Sequence, residues 1–348
     1  MKKRQAFLYL LIAAVLLALI YLQVRTWRHF DWGVFLAKTR QADWAMVALS
    51  VGLIYLDYYL RAVRWAIFLR PVKKVTAGSL TAAQFIGFTG LALLGRPGEL
   101  IRPYIIARKH GLNVPSQLAV WTVERIFDTG AFGTLLLVSS VLFRAQLHTL
   151  PYFDKFVHYG IPIAFAFATV LLTFALLLRF RTRQLAGIAE RLLARSPRLA
   201  KIASHKITTF GEGLNTIHDV GSFVQLVGMS LLIWGMIGVT YWTITHSYHD
   251  PSLRMPISYV LLLMGFSVVG GVAQLPVVGG GSQIMTITAL KYVFGVPPEL
   301  AVSCGMLCWI VTFLSCTPTG LLLARREHVS ITKLAEEEEA AETALNAD

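Results

Sequence analysis

Twice along this chain, over residues 76–143 and again over 257–324, the same order of features recurs: a small-residue apolar stretch, a glycine break, a short arm, then a long apolar helix. The first copy runs through Ala83-Gln-Phe-Ile-Gly-Phe-Thr-Gly90, Gly95-Arg-Pro-Gly-Glu-Leu-Ile-Arg102 and Gly111-Leu-Asn-Val-Pro-Ser-Gln-Leu-Ala119. The second runs through Gly265-Phe-Ser-Val-Val-Gly-Gly271, Pro276-Val-Val-Gly-Gly-Gly-Ser-Gln283 and Gly295-Val-Pro-Pro-Glu-Leu-Ala301. Setting Gly98 on Gly281 brings Gly111 within one residue of Gly295. Paired glycine-interrupted apolar segments in corresponding halves of a chain point to a transporter's binding site, because broken helices offer backbone ends at membrane depth.

Composition agrees with that class. Of 348 residues, 55% are apolar and only 15% charged, and the mean hydropathy is +0.61, values that fit a polytopic membrane protein and not a soluble domain. The net charge of +13 does not argue for nucleic acid, since the basic residues cluster between apolar spans as cytoplasmic loops do. Cys304, Cys308 and Cys316 fall inside one apolar span, where cysteine acts as a small apolar residue. They point to no metal and no redox compartment, and no motif asks for a cofactor.

Six full crossings are expected, at 6–24, 44–69, 116–143, 159–180, 222–245 and 299–324, each long enough for roughly 30 Å of hydrocarbon. The first follows Met-Lys-Lys-Arg without a small-residue cleavage site, so it reads as an uncleaved span and not as a secretory signal. Segments 77–110 and 257–296 are each two short arms around a Gly/Pro break, lengths that suit re-entrant hairpins. Arg61, Arg64, Arg70, Lys73 and Lys74, and the eight basic residues of 179–206 set against Glu190, mark cytoplasmic loops. Arg25, Arg28, Lys38 and Arg40 run against the scheme, lying between the first two spans where it requires the outside. Both termini are then cytoplasmic, and the two hairpins enter from opposite faces. The expected fold is an all-α polytopic membrane protein of inverted repeats with two glycine-broken re-entrant hairpins. Residues 1–330 form one transmembrane domain and 331–348 an acidic tail. Within the linker at about 181–220, Leu185, Ile188, Leu192, Ile207, Phe210, Leu214 and Ile217 recur at the spacing of amphipathic helices lying on the inner surface.

Charge near the bilayer centre costs roughly 2.5 to 3.5 kcal/mol per residue on insertion scales and marks either function or a buried pair. Arg96, Glu99 and Arg102 surround the first break, and Glu99 and Arg102, three apart, share a helical face where they either pair or jointly hold a zwitterionic or phosphate headgroup. Glu124 and Asp128 lie i, i+4 beside Arg125 and need a cation, supplied by Arg102, by a substrate amine or by an interhelical salt bridge. Asp57 pairs with Arg61 at i, i+4, and Arg61 and Arg64 read as snorkelling anchors near the inner end of the second span. The second break carries no charge, only Gln274, Pro276, Gly279, Gly280, Gly281, Ser282 and Gln283. Consecutive glycines there either present N–H groups to an anion or serve as a packing turn. Lys291 follows, to add a positive charge or to snorkel.

These motifs resemble the transmembrane flippase domain of lysylphosphatidylglycerol synthases, also called multiple peptide resistance factors, and their stand-alone relatives. Gly95 to Arg102 is similar to the family's Gly-Glu, then Arg element. Val123-Glu-Arg-Ile-Phe-Asp128 is similar to its Glu-Arg, then Asp element, and Leu275-Pro-Val-Val-Gly-Gly-Gly281 to its second glycine break. The resemblance implies that Glu99, Arg102, Glu124, Arg125 and Asp128 are functional, and that a polar-headgroup lipid, phospho- or aminoacyl-, passes between leaflets of the cell (inner) membrane. Ser282, Gln283 and Ile284 depart from a Gly-x-Arg-Glu-like element that many relatives carry after the second break. The chain ends without an aminoacyl-transferase domain, so the resemblance implies transport and not lysyl transfer. No P-loop is present to hydrolyse nucleotide. Expected partners are a membrane phospholipid or lipid-linked substrate, an envelope-lipid synthase and a second copy of the chain. Two alternatives stay open on the residues: a membrane enzyme using Glu99, Glu124 or Asp128 on lipid-linked phosphate or sugar, and a non-transporting partner of an envelope-lipid synthase.

Overall fold

The computed structural model describes residues 31–150, 220–271 and 280–327, with short stretches between 158 and 208. The expected spans at 6–24 and, for the most part, 159–180 lie outside the described residues, as do the acidic tail, Gln274, Pro276 and Gly279.

The described residues are helices and turns without a strand. A short α1, Trp32–Arg40, starts at Asp31, whose carboxylate accepts from Val34 N at 3.0 Å. Asp43 caps α2, Trp44–Leu69, in the same way, accepting from Ala45 N and Met46 N. Such caps satisfy amides that the first helical turn leaves without partners. Helix α3, Ala77–Leu94, leads through Gly95 into a 3-10 turn, Arg96–Leu100, and α4, Ile101–His110. Helix α5, Val114–Leu142, carries Pro115 in its first turn, where its missing N–H leaves no helical bond unmade. Then come α6, Val220–His246, and a second helical pair, α7, Ile257–Gly270, and α8, Gly281–Tyr292.

The last expected span, 299–324, is not one regular helix. It divides into α9, Pro298–Trp309, a π-turn over Ile310–Leu314 and α10, Thr317–Arg326. Pro318 accounts for the division, because it brings no N–H to the ladder and its ring crowds the preceding turn. Among the described residues, five stretches are long and apolar enough to cross a membrane: α2, α3, α5, α6 and the run from Pro298 to Arg326. Helix α3 is thus longer than the short arm expected of a hairpin: 18 residues, about 27 Å at 1.5 Å per residue.

Both glycine breaks share one backbone shape. Gly95 has φ 72°, ψ −151° and Gly280 has φ 82°, ψ −149°, a region open in practice to glycine alone. Beside each break the arms touch backbone to backbone: a Cβ on Gly98 would fall 2.1 Å from Gly90 O, and one on Gly270 would fall 2.2 Å from Gly281 O. Close approach at glycine is how helices pack without a hydrophobic drive between them.

Contacts at the helix ends set the order of the bundle. At one end, Lys73 Nζ donates to His110 O at 2.7 Å, Arg70 to Gln225 at 2.7 Å, and Lys109 to Glu327. At the other, Asp43 N donates to Ser247 O at 2.7 Å, Lys38 pairs with Asp250 at 3.0 Å, Ser303 meets both Thr39 and Tyr248, and Tyr259 packs on Phe294. One apolar cluster, including Ile54, Tyr58, Tyr241, Leu263, Leu300 and the three cysteines, fills the second end and the middle. Another, including Trp65, Phe68, Leu80, Ile106, Val120 and Leu226, fills the first, where Leu185 and Ile207 of the linker also pack. Ile188 is exposed, whereas Leu192, Phe210, Leu214 and Ile217 lie outside the described residues. The cysteines are free thiols buried among apolar side chains, as their sequence setting suggests.

Candidate functional site: an ionised cavity between two glycine breaks

Asp57, Arg61 and Arg64 recur at i, i+4, i+7 and so form one stripe on α2. The stripe faces Glu124, Arg125 and Asp128 on α5 and Arg102 on α4. Arg64 is wholly buried. It donates to Glu124 Oε1 at 2.5 Å, to Asp128 Oδ1 at 2.6 Å and to Ser230 Oγ at 2.9 Å. Arg102 grips both oxygens of Glu124 and donates to Gln84 Oε1 at 2.9 Å, with its guanidinium 4.7 Å from the Trp65 ring centre. Arg125 lies 3.1 Å from Asp128 Oδ2, and Trp234 Nε1 donates to Asp128 Oδ1 at 3.1 Å. Four guanidinium groups therefore meet the three carboxylates of Asp57, Glu124 and Asp128 in a region almost closed to solvent. Burying these charges costs several kcal/mol each, offset only by mutual pairing and hydrogen bonds.

Arg61 is held differently. Its Nε donates to Asp57 Oδ2 at 2.8 Å, while Nη1 stops 3.8 Å from Asp128 Oδ2, beyond hydrogen-bond reach. The guanidinium lies over Phe88, 5.2 Å from the ring centre. Asp57 is 2% exposed, and its Oδ1 has no hydrogen-bond partner. Both residues line a cavity of about 180 Å³. Glu99, Arg125 and Asp128 join them, so this part of the lining carries acidic and basic side chains. The lining also carries the hydroxyls of Tyr241, Ser267, Ser282 and Thr312 and the apolar side chains of Phe88 and Met264, with Trp234 beside Asp128. Among these hydroxyls Tyr241 bonds Ser267 at 2.8 Å, and Ser267 bonds Ser282 at 2.7 Å. A smaller hollow, bounded by Gly87, Glu99, Arg102 and Arg125, adjoins it.

The expected site residues thus separate. Asp57, Glu99, Arg125, Asp128 and Ser282 line the cavity, whereas Arg102 and Glu124 stand behind it in the ion network. Gly280 and Gly281 shape the second break, and Gln283 is half-buried beside it, off the cavity wall. Lys291 is exposed and lies 4.8 Å from the Tyr292 ring centre, away from the cavity. Gly279 and Gln274, and the side chain of Arg96, lie outside the described residues. Arg61 and Arg64 are not snorkelling anchors: they sit eight and five residues inside the end of α2 at Leu69, about 12 and 7 Å along the axis, too deep to reach that end. Their i, i+4, i+7 register with Asp57 is the signal that could have placed them inward. Nothing local marks Gln84, Ser230, Trp234 or Tyr241, which the fold alone brings to the network and the cavity.

Long apolar helices around a buried ionised cavity define a multi-pass α-helical membrane protein. The chain belongs to the family of the lysylphosphatidylglycerol synthase transmembrane region, whose model matches residues 7–320. A UPF0104 membrane protein of Methanothermobacter thermautotrophicus is 23% identical over 296 residues, covering 81% of this chain and 84% of that one. Glycosyltransferase AglD of Haloferax volcanii is 32% identical over 120 residues, 34% of this chain and 19% of that protein. The chain therefore spans only about a fifth of the length of that enzyme. No solved structure matches the chain.

Proposed function

We propose that this protein translocates a lipid with a polar headgroup between the leaflets of the cell membrane, the headgroup entering the ionised cavity while the acyl tails stay in lipid. The observation that carries this reading is the cavity itself, bounded by residues of both glycine breaks, Glu99 and Ser282, and walled by charge inside an otherwise apolar bundle. Charge at that depth is expensive and is retained where a substrate path needs it. The arrangement of the hairpins supports the same reading. The arms of the first, α3 and α4, begin and end beside Lys73 and His110. The arms of the second, α7 and α8, begin and end beside Tyr259 and Phe294 in the other apolar cluster. In this reading the pairs are inverted, re-entrant hairpins whose breaks alternate access to one site, with both termini cytoplasmic.

The carboxylates also speak against acid–base chemistry as the main role. Both oxygens of Glu124 and Oδ1 of Asp128 are occupied by guanidinium donors, whereas a general acid or base must reach a substrate proton. The test is leaflet exchange of tail-labelled phospholipids in proteoliposomes, comparing wild type with Glu99→Ala, Arg125→Ala. Exchange should fall at least tenfold in the folded variant. A folded wild type that moves no lipid of any headgroup would overturn the proposal.

A further inference from the structure

We infer that the headgroup taken by this cavity is a phosphate ester of a polyhydroxy group, a polyol or a sugar, and not an amine. The inference rests on the translocation reading above and concerns what the same site selects.

The register that sets Gly98 on Gly281 sets Glu99 on Ser282, and the register that sets Gly111 on Gly295 sets Asp128 on Thr312. All four residues line the cavity. Corresponding positions of the two repeats thus supply lining groups of unlike chemistry, charge from the first and hydroxyl from the second.

Both sets of lining groups have hydrogen-bonding capacity to offer a ligand. Among the charged groups, Arg61 spends only Nε on Asp57, leaving its terminal nitrogens for an anion. Arg125 lines the same cavity, so a phosphate there meets two guanidinium groups, whose donor geometry suits its oxygens. Beside them Asp57 Oδ1 lacks a donor. In the other set, the hydroxyls of Tyr241, Ser267 and Ser282 make two hydrogen bonds among themselves. Thr312 adjoins Tyr241 and gives its own O–H to Cys308 O at 2.7 Å, so this set of hydroxyls presents rotatable donors and acceptor oxygens together.

A headgroup that satisfies both sets must donate to a carboxylate and accept from a hydroxyl. A hydroxyl does both. A primary ammonium donates to Asp57 but accepts nothing, and a quaternary ammonium does neither. Vicinal hydroxyls next to a phosphate give such groups at short spacing, matching a cavity of about 180 Å³. Sites built to hydrogen-bond a hydroxyl reject ligands lacking it, because their own polar groups are then left unpaired.

The experiment compares the full chain in proteoliposomes holding tail-labelled phosphatidylinositol, phosphatidylglycerol, phosphatidylethanolamine or phosphatidylcholine. Short-chain forms of the same lipids are titrated onto the protein in detergent. Inositol and glycerol headgroups should exchange at least tenfold faster and bind at least tenfold tighter than the amines. Ser282→Ala with Tyr241→Phe should bring inositol and glycerol exchange and binding down to within twofold of the amines, and Ser282→Thr should retain the preference. Equal exchange of all four lipids, or faster exchange of the amines or of an aminoacyl ester, would overturn the inference and leave translocation standing. Polyol-selective binding in detergent without exchange of any lipid would uphold the site's selectivity and remove the translocation reading instead.

Discussion

Replacing Arg64 by glutamine should be among the most destabilising single changes in this protein. Arg64 has no solvent exposure and holds Glu124 at 2.5 Å and Asp128 at 2.6 Å from two different nitrogens. Hydrogen bonds to charged groups contribute about 1.5 to 3 kcal/mol each, and removing one partner of a buried ion pair costs about 3 to 5 kcal/mol because the remaining charge stays buried. Arg102 still holds Glu124, and Arg125 still stands by Asp128, so the loss should fall near the lower half of that range, about 3 to 4 kcal/mol. Reversible unfolding in mixed micelles measures it. A double-mutant cycle locates it: Arg64→Gln with Glu124→Gln should cost at least about 1 kcal/mol less than the two single changes added, since groups in one network couple at that scale. A loss under about 1 kcal/mol for Arg64→Gln, or strict additivity, would refute the claim that the network is a coupled, desolvated unit.

Three further substitutions probe parts of the fold outside the ion network. Gly98→Ala should prevent normal folding, since its Cβ would lie 2.1 Å from Gly90 O with backbone on both sides, whereas Gly130→Ala on α5 meets nothing within 4 Å and should stabilise by up to about 1 kcal/mol; size-exclusion profiles and unfolding midpoints distinguish them. The Lys38–Asp250 pair is partly exposed and should contribute under about 1 kcal/mol. Hydrogen bonds from Ser252 and Lys38 hold the Asp250 carboxyl below the ordinary aspartate range. Its contribution is therefore complete above the unfolded-state value and is lost only as pH falls through the lower folded one. Lys38→Met should shrink the acid-side slope of the unfolding midpoint, and an unchanged slope would remove the pair from the account.

The membrane class was legible because it needs only length and hydropathy: α2, α5 and α6 fall where 44–69, 116–143 and 222–245 were expected to cross. The breaks at Gly95 and Gly280 were legible because few residues other than glycine adopt their backbone shape. Glu99, Arg125 and Asp128 stood out as charges in apolar segments, and all three line the cavity. The division of labour among the charges was not legible. Arg64 and Arg61 lie one turn apart on α2, yet one is sealed between Glu124 and Asp128 while the other borders a cavity. That difference depends on how closely α5 and α6 approach α2, which periodicity does not encode. The same holds around the π-turn at Ile310–Leu314: Pro318 was plain in the sequence, but not that Tyr55 and Tyr58 of α2 would donate to Ser315 O and Thr312 O at 3.0 Å. By itself the sequence determined the solvent this chain folds in, its helical class and where its helices break, because those follow from transfer energy and local backbone sterics. Only the tertiary structure decided which charges pair with one another and which border the cavity, because pairing is set by distances of a few ångströms between helices far apart in the chain.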